Sequence, residues 1–158
     1  SRGGYPGLGH DFLEGFFKKY NTKNFEFYFL GGGWEPLLEI PEIIDNTNIH
    51  IETNEDYSYY PKFYDKIDYL LIPGMWTAGP MSMQEALSTG VPVIGANVGF
   101  VNYEFQADYV FEPGDELGLE AILRSIENPV LSRRAQVESM TWAKHADDLV
   151  QFVKRLKN

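Results

Sequence analysis

Residues 69–99 read YLLIPGMWTAGPMSMQEALSTGVPVIGANVG, and this stretch decides the fold class. Tyr69 to Pro73 is a continuous apolar run, the pattern of a strand covered on both faces. Pro80 to Thr89 carries helical spacing and stops at Gly90. Val91 to Gly95 (VPVIG) is a second apolar run. Strand, helix and strand in close succession describe a crossover unit with parallel strands.

Outward from this stretch the alternation continues. Between Gly9 and Tyr20, the residues Phe12, Leu13, Phe16, Phe17 and Tyr20 share one helical face. Phe25 to Leu30 reads as a short aromatic strand ended by Gly31-Gly32-Gly33. Trp34 to Ile44 reads as a weak helix interrupted by Pro41. Ile49 to Ile51 is a candidate strand, and Tyr57 to Ile67 a helix or turn weakened by Pro61. Tyr109 to Phe111 is a further strand, and Asp115 to Glu127 a helix with acids in its first turn. Two more helices are expected near 129–144 and 145–157, the last with an apolar stripe of Leu149, Phe152, Val153 and Leu156. The whole is an α/β pattern with a mostly parallel sheet, expected to form one domain over residues 1–158. Ser1 falls where an opening strand would be ending. The expectation is a first strand upstream, or a sheet one strand short.

Composition narrows the function classes. The 158 residues carry 13 Lys and Arg against 23 Asp and Glu, a formal charge of −10. Such a domain repels phosphate backbones and anionic lipid, so neither nucleic acid nor a membrane surface is the expected partner. The absence of cysteine removes disulfides, thiolate nucleophiles and thiolate metal sites. His10, His50 and His145 have no ligand-like spacing, so no metal is expected. No apolar run is long enough for a membrane span, and the start lacks the core of a signal peptide. A cytoplasmic protein is the expectation.

In open parallel sheets, ligands collect at the carboxyl ends of strands and the amino ends of the helices that follow. The junction from Pro73 to Gly90 is the most informative. With Gly79 before the helix and Pro80 at its first position, the amides of Met81, Ser82 and Met83 point outward toward an anion. Glu85 shares a face with Met81 and Ser82, and a carboxylate there suits a hydroxyl donor such as a ribose rather than a phosphate. Ser82 and Glu85 also fit a capping box, in which Glu85 serves only its own backbone. Both readings stand on spacing alone. Arg2, ahead of the first helix, is a fork that suits a diphosphate or an ordinary terminal arginine. Gly9, Asn97 and Gly99 are candidates to line the same cleft. The Gly31 run lacks the spaced glycines of a dinucleotide fingerprint, so a dinucleotide oxidoreductase ranks last.

Taken together, these junctions resemble the C-terminal, nucleotide-sugar-binding domain of two-domain retaining glycosyltransferases of the GT-B type, family four. Arg2 and Gly9-His10-Asp11 resemble the family's opening, FYFLGGGWE its strand and glycine segment, and VFEPGDELGLEAI its closing element. The family signature is two glutamates separated by seven residues, then Ala and G-x-P-V. Here Glu85, Ala86, Gly90, Pro92 and Val93 stand in place, while Thr77 occupies the position of the first glutamate. Leu8 occupies the position of the family's lysine.

The resemblance implies a Rossmann-like sheet with helices on both faces, the C-terminal half of a GT-B fold. It implies that Arg2, Gly79, Pro80, Met81 and Ser82 bind the donor diphosphate, Thr77 the sugar and Glu85 the ribose, with Glu52 and Thr53 at the cleft where the family's base-binding loop stands. The nucleotide-sugar is then a substrate, with no cofactor or metal, and the acceptor site lies in an N-terminal domain outside this chain. The fragment alone is expected to bind nucleotide weakly and turn nothing over. The alternative is a glycosyltransferase-like binding or scaffold module that has lost donor chemistry.

Overall fold

The apolar face between Gly9 and Tyr20 forms helix α1 (His10–Lys19) in a computed structural model that describes residues 9–53, 56–75, 81–102 and 107–128. Leu13, Phe16 and Phe17 are buried on that face. Asp11 in the first turn and Lys18 and Lys19 in the last complement the helix dipole. The next segment, strand β1 (Glu26–Leu30), meets this helix through aromatic edges. The Phe17 ring packs edge-on against Phe27 at 4.8 Å and against Phe29 at 6.4 Å. Phe12, on the flank of α1, stacks on Phe111 at 5.8 Å.

Two prolines read as helix breakers are helix starters. A 3-10 turn, Glu35–Glu39, is followed by α2 (Pro41–Asn46), which Pro41 opens rather than interrupts. Pro61 likewise lies in the first positions of α3 (Tyr60–Tyr64), after a 3-10 turn at Tyr57–Tyr59. The reason is general: a proline lacks an N–H that the first helical turn leaves unpaired anyway. Between them runs β2 (Asn48–Glu52).

The deciding stretch folds as β3 (Leu70–Ile72), α4 (Met81–Thr89) and β4 (Val93–Ala96). β4 starts two residues later than the apolar run. Pro92 has no N–H to give, and its carbonyl accepts from Leu70 N–H at 2.9 Å. A 3-10 turn (Gly99–Asn102), β5 (Tyr109–Phe111) and α5 (Glu116–Glu127) follow. Asp115 stands just before α5 and caps it, accepting Gly118 N–H at 3.0 Å. The two helices expected beyond residue 129 lie outside the described residues.

All strand pairs are parallel. β1 pairs with β2, and β3, β4 and β5 pair in that order in a second sheet. Among the described residues no strand precedes α1.

Every residue of β4 is buried, so both faces of the second sheet are covered. Val93 belongs to a core cluster with Tyr64, Ile72, Met83, Ala86, Val91 and Val101, which joins α3 and α4 to the sheet. Gly95, on the same face as Val93, is backed by Val101: a Cβ there would lie 2.5 Å from Val101 Cγ1. Ile94 and Ala96 point to the opposite face and are equally buried. The fold is a Rossmann-like α/β arrangement of open parallel sheets flanked by helices.

The chain divides into two compact units, Ser1–Glu120 and Ala121–Asn158. Of the second, the described part is 121–128, where Ser125 Oγ donates to the Ile122 carbonyl at 2.7 Å.

Phe17, at 0% exposure, holds α1 to β1 through two aromatic contacts. Phe17→Ala is expected to cost about 3–5 kcal/mol. Urea denaturation followed by circular dichroism measures it.

Candidate functional site

The strands end on a common edge. Gly9, ahead of α1, has φ of 90°, and a Cβ on it would stand 2.7 Å from the Pro73 carbonyl oxygen just after β3. Only glycine tolerates both the conformation and the approach. His10 stacks on Trp34, after β1, with ring centroids 3.8 Å apart. Met75 faces Gly114, beyond β5. Asn97, after β4, donates from Nδ2 to Glu112 Oε1 at 3.0 Å, and its backbone N–H reaches the Phe111 carbonyl. The start of α1 and the ends of β1, β3, β4 and β5 are thereby linked by direct contacts.

His10 is half-buried, and its Nδ1 has no hydrogen-bond partner among the described residues. Gly31 and Gly33 take φ of 100° and 97°, and Gly33 N–H is bound by Glu35 Oε2 at 2.8 Å. The glycine run is a tight turn held by its own downstream carboxylate.

Helix α4 leads away from this edge. Met83 and Ala86 face the core, at 1% and 0% exposure, as their spacing predicts. Met81 is exposed, and Ser82 and Glu85 are half-buried. Ser82 lies inside the helix, one residue after Met81, so it is not the N-cap that a capping box requires. Among the described residues, the partners of the Glu85 carboxylate are two tyrosine hydroxyls. Tyr64 OH donates to Oε2 at 2.8 Å and Tyr57 OH to Oε1 at 2.8 Å.

Tyr64 connects the site to the core. Its ring belongs to the cluster beneath the second sheet, at 4% exposure. Its hydroxyl also lies 3.2 Å from the Ser82 carbonyl oxygen, so Ser82 and Glu85 share one donor. Burial pushes the Tyr64 phenol well above its ordinary value, and the neighbouring Glu85 carboxylate adds to this. The bond to Glu85 raises the Tyr57 phenol as well.

Glu52 ends β2 in a separate polar group. Its carboxylate pairs with Lys66 and accepts from Tyr59 OH at 2.8 Å. The Lys66 bond holds Glu52 below the usual carboxylate range, and the Lys66 ammonium sits over the Tyr28 ring at 4.4 Å. Thr53 follows, exposed. Glu52 and Glu85 are not bonded to each other. They are joined indirectly by the Tyr57–Tyr59 turn, whose first tyrosine reaches Glu85 and whose third residue, Tyr59, reaches Glu52.

Of the expected site residues, Gly9 and Asn97 lie on the linked edge, and Ser82 and Glu85 are brought together by Tyr64. Gly99 opens the 3-10 turn after β4 with φ of 54°. Arg2, Thr77, Gly79 and Pro80 lie outside the described residues. Tyr57, Tyr59, Tyr64 and Lys66 were not expected. Their signal is the run YSYYPKFY at 57–64, which holds four of the chain's 10 tyrosines. Among the described residues no cluster of His, Cys, Asp and Glu forms a metal site, and no helix is long and apolar enough to cross a membrane.

Fold and edge together define a Rossmann-like α/β unit of open parallel sheets with its strand ends gathered on one side. Among solved structures, the chain is similar to sucrose-phosphate synthase from Thermosynechococcus elongatus. That structure matches 94% of this chain at 19% identity with a TM-score of 0.62. The chain spans 42% of the synthase, and at this identity the likeness is one of fold. No family model and no curated protein matches the sequence.

Tyr64→Phe leaves Glu85 Oε2 and the Ser82 carbonyl without their shared donor. The expected cost is about 1–2 kcal/mol, read from the urea midpoint. Because folding raises the Tyr64 phenol above its ordinary 10.0, this contribution is fully present below pH 10 and is lost as the pH rises through the higher folded value. The stability curve of the Tyr64→Phe variant is therefore expected to fall less steeply on the alkaline side.

Proposed function

We propose that this chain is the donor-binding half of a retaining glycosyltransferase that moves a sugar from a nucleotide-sugar to a glycan or lipid-linked acceptor. The observation that carries the reading is the placement of Glu85. It lies one turn into the helix that follows β3, oriented by a buried tyrosine, in a fold shared with a glycosyltransferase over 94% of the chain. A carboxylate so held accepts hydroxyls of a ribose. In this reading the Gly79-Pro80 turn with the N–H groups of Met81 and Ser82, and Arg2, take the diphosphate. Transfer with retention releases a nucleoside diphosphate, and these donors stabilise the charge that builds on it, with no metal required. Thr77 is assigned to the sugar in the same reading. The acceptor site belongs to a partner domain outside the chain, so these residues alone bind donor without turnover. The setting is cytoplasmic polysaccharide biosynthesis.

A second reading, a binding or scaffold module without donor chemistry, is favoured by Thr77 and Leu8. Both stand where the resembled family carries a charged side chain. An intact parent protein with transferase activity overturns this second reading.

The first reading is tested by titration calorimetry of the chain with UDP, GDP and their sugars. One of them is expected to bind, and Glu85→Gln is expected to weaken it about 10-fold, the loss of a charged acceptor for a hydroxyl pair. Absence of heat with every nucleotide, on folded protein, counts against it.

A further inference from the structure

The carboxylate assigned to ribose is already engaged on both oxygens, and the two tyrosines that engage it are unlike. Tyr64 is 4% exposed and sealed into the core, and its hydroxyl also reaches the Ser82 carbonyl. Tyr57 is 67% exposed. Its hydroxyl bond to Glu85 Oε1, at 2.8 Å, spans 28 positions of sequence. Among the described residues its ring contact is with Tyr60, at 4.8 Å, just after the same turn. Tyr57 opens a three-residue 3-10 turn fastened by Asp56, which accepts Ser58 N–H at 2.9 Å. That bond does not involve the Tyr57 side chain, so the phenol can swing away while the turn keeps its cap.

A vicinal diol binds a carboxylate through both oxygens. Oε2 faces the buried Tyr64, which stays. Oε1 is the oxygen held by the exposed phenol, and a ring in that space excludes a sugar hydroxyl approaching the same atom. We infer that Tyr57 is a displaceable plug on Glu85, standing in for a sugar hydroxyl on Oε1 and leaving before a ribonucleoside can bind. The inference rests on the reading of Glu85 as the ribose acid. Its consequence is a self-imposed weakening of ligand binding. The apparent dissociation constant is the intrinsic one divided by the fraction of molecules in which Oε1 is open. If the open fraction is about 10–30%, removing the phenol hydroxyl tightens binding by about 3- to 10-fold.

The test uses the full chain and free nucleoside diphosphates, comparing UDP and GDP with their 2′,3′-dideoxy analogues. Calorimetry is run on wild type, Tyr57→Phe and Glu85→Gln, each first shown to be folded by circular dichroism. Tyr57→Phe is expected to bind the ribonucleotide about 3- to 10-fold tighter while its affinity for the dideoxy analogue stays put. Only a hydroxyl competing with the diol produces that split; a general loosening of the surface moves both ligands alike. If Glu85→Gln weakens the ribonucleotide but Tyr57→Phe leaves it unchanged or weaker, the plug is overturned and the role of Glu85 stands. If wild type and Glu85→Gln bind the ribonucleotide equally, or neither wild type nor Tyr57→Phe binds it, the reading of Glu85 fails and the plug with it.

Discussion

The constraint on which the rest of the structure depends is the two-sided burial of the β3–β4–β5 sheet. Val93, Ile94, Gly95 and Ala96 are all buried, so helices must lie on both faces. A parallel sheet can be covered that way only if each strand is followed by a crossover. Those crossovers bring the strand ends and helix starts to one edge. Gly9 against Pro73, His10 on Trp34 and Asn97 to Glu112 are consequences of that arrangement. The candidate site lies on the edge where the parallel strands end and the helices that follow them begin.

Tyr64 is where packing and chemistry meet. Its ring contributes to the same cluster as Met83 and Val93, and its hydroxyl orients Glu85. A carboxylate on a half-exposed helix face would otherwise sample several rotamers. Here its direction is set by a residue whose own position is set by close packing. The cost is a phenol taken largely out of water, which is satisfied because the hydroxyl has both the carboxylate and the Ser82 carbonyl within reach.

The likeness to sucrose-phosphate synthase covers nearly the whole chain at low identity, as expected when architecture persists while surface chemistry changes. The surface here has its own character. The Tyr57–Tyr59 turn links Glu52 to Glu85 through two phenols, and Lys66 neutralises Glu52 from the other side. Tyrosine hydroxyls thus bind two of the chain's 23 acidic residues, Glu52 and Glu85.

Local pattern was enough to read the class of fold, most elements and the inward faces of α1 and α4. Those depend on the spacing of apolar residues, which the chain carries in order: Leu13, Phe16 and Phe17 in α1, and Met83 and Ala86 in α4. The prolines at 41 and 61 were misjudged because a missing N–H breaks a helix or begins one depending on position, and position is decided by what packs nearby. For Glu85, spacing left a capping role and a ligand role equally open. In the structure the carboxylate is bound by Tyr57 and Tyr64, which lie 28 and 21 residues away. Contacts at such separation carry no periodic signature; they exist only once the sheet has brought α3 and α4 together.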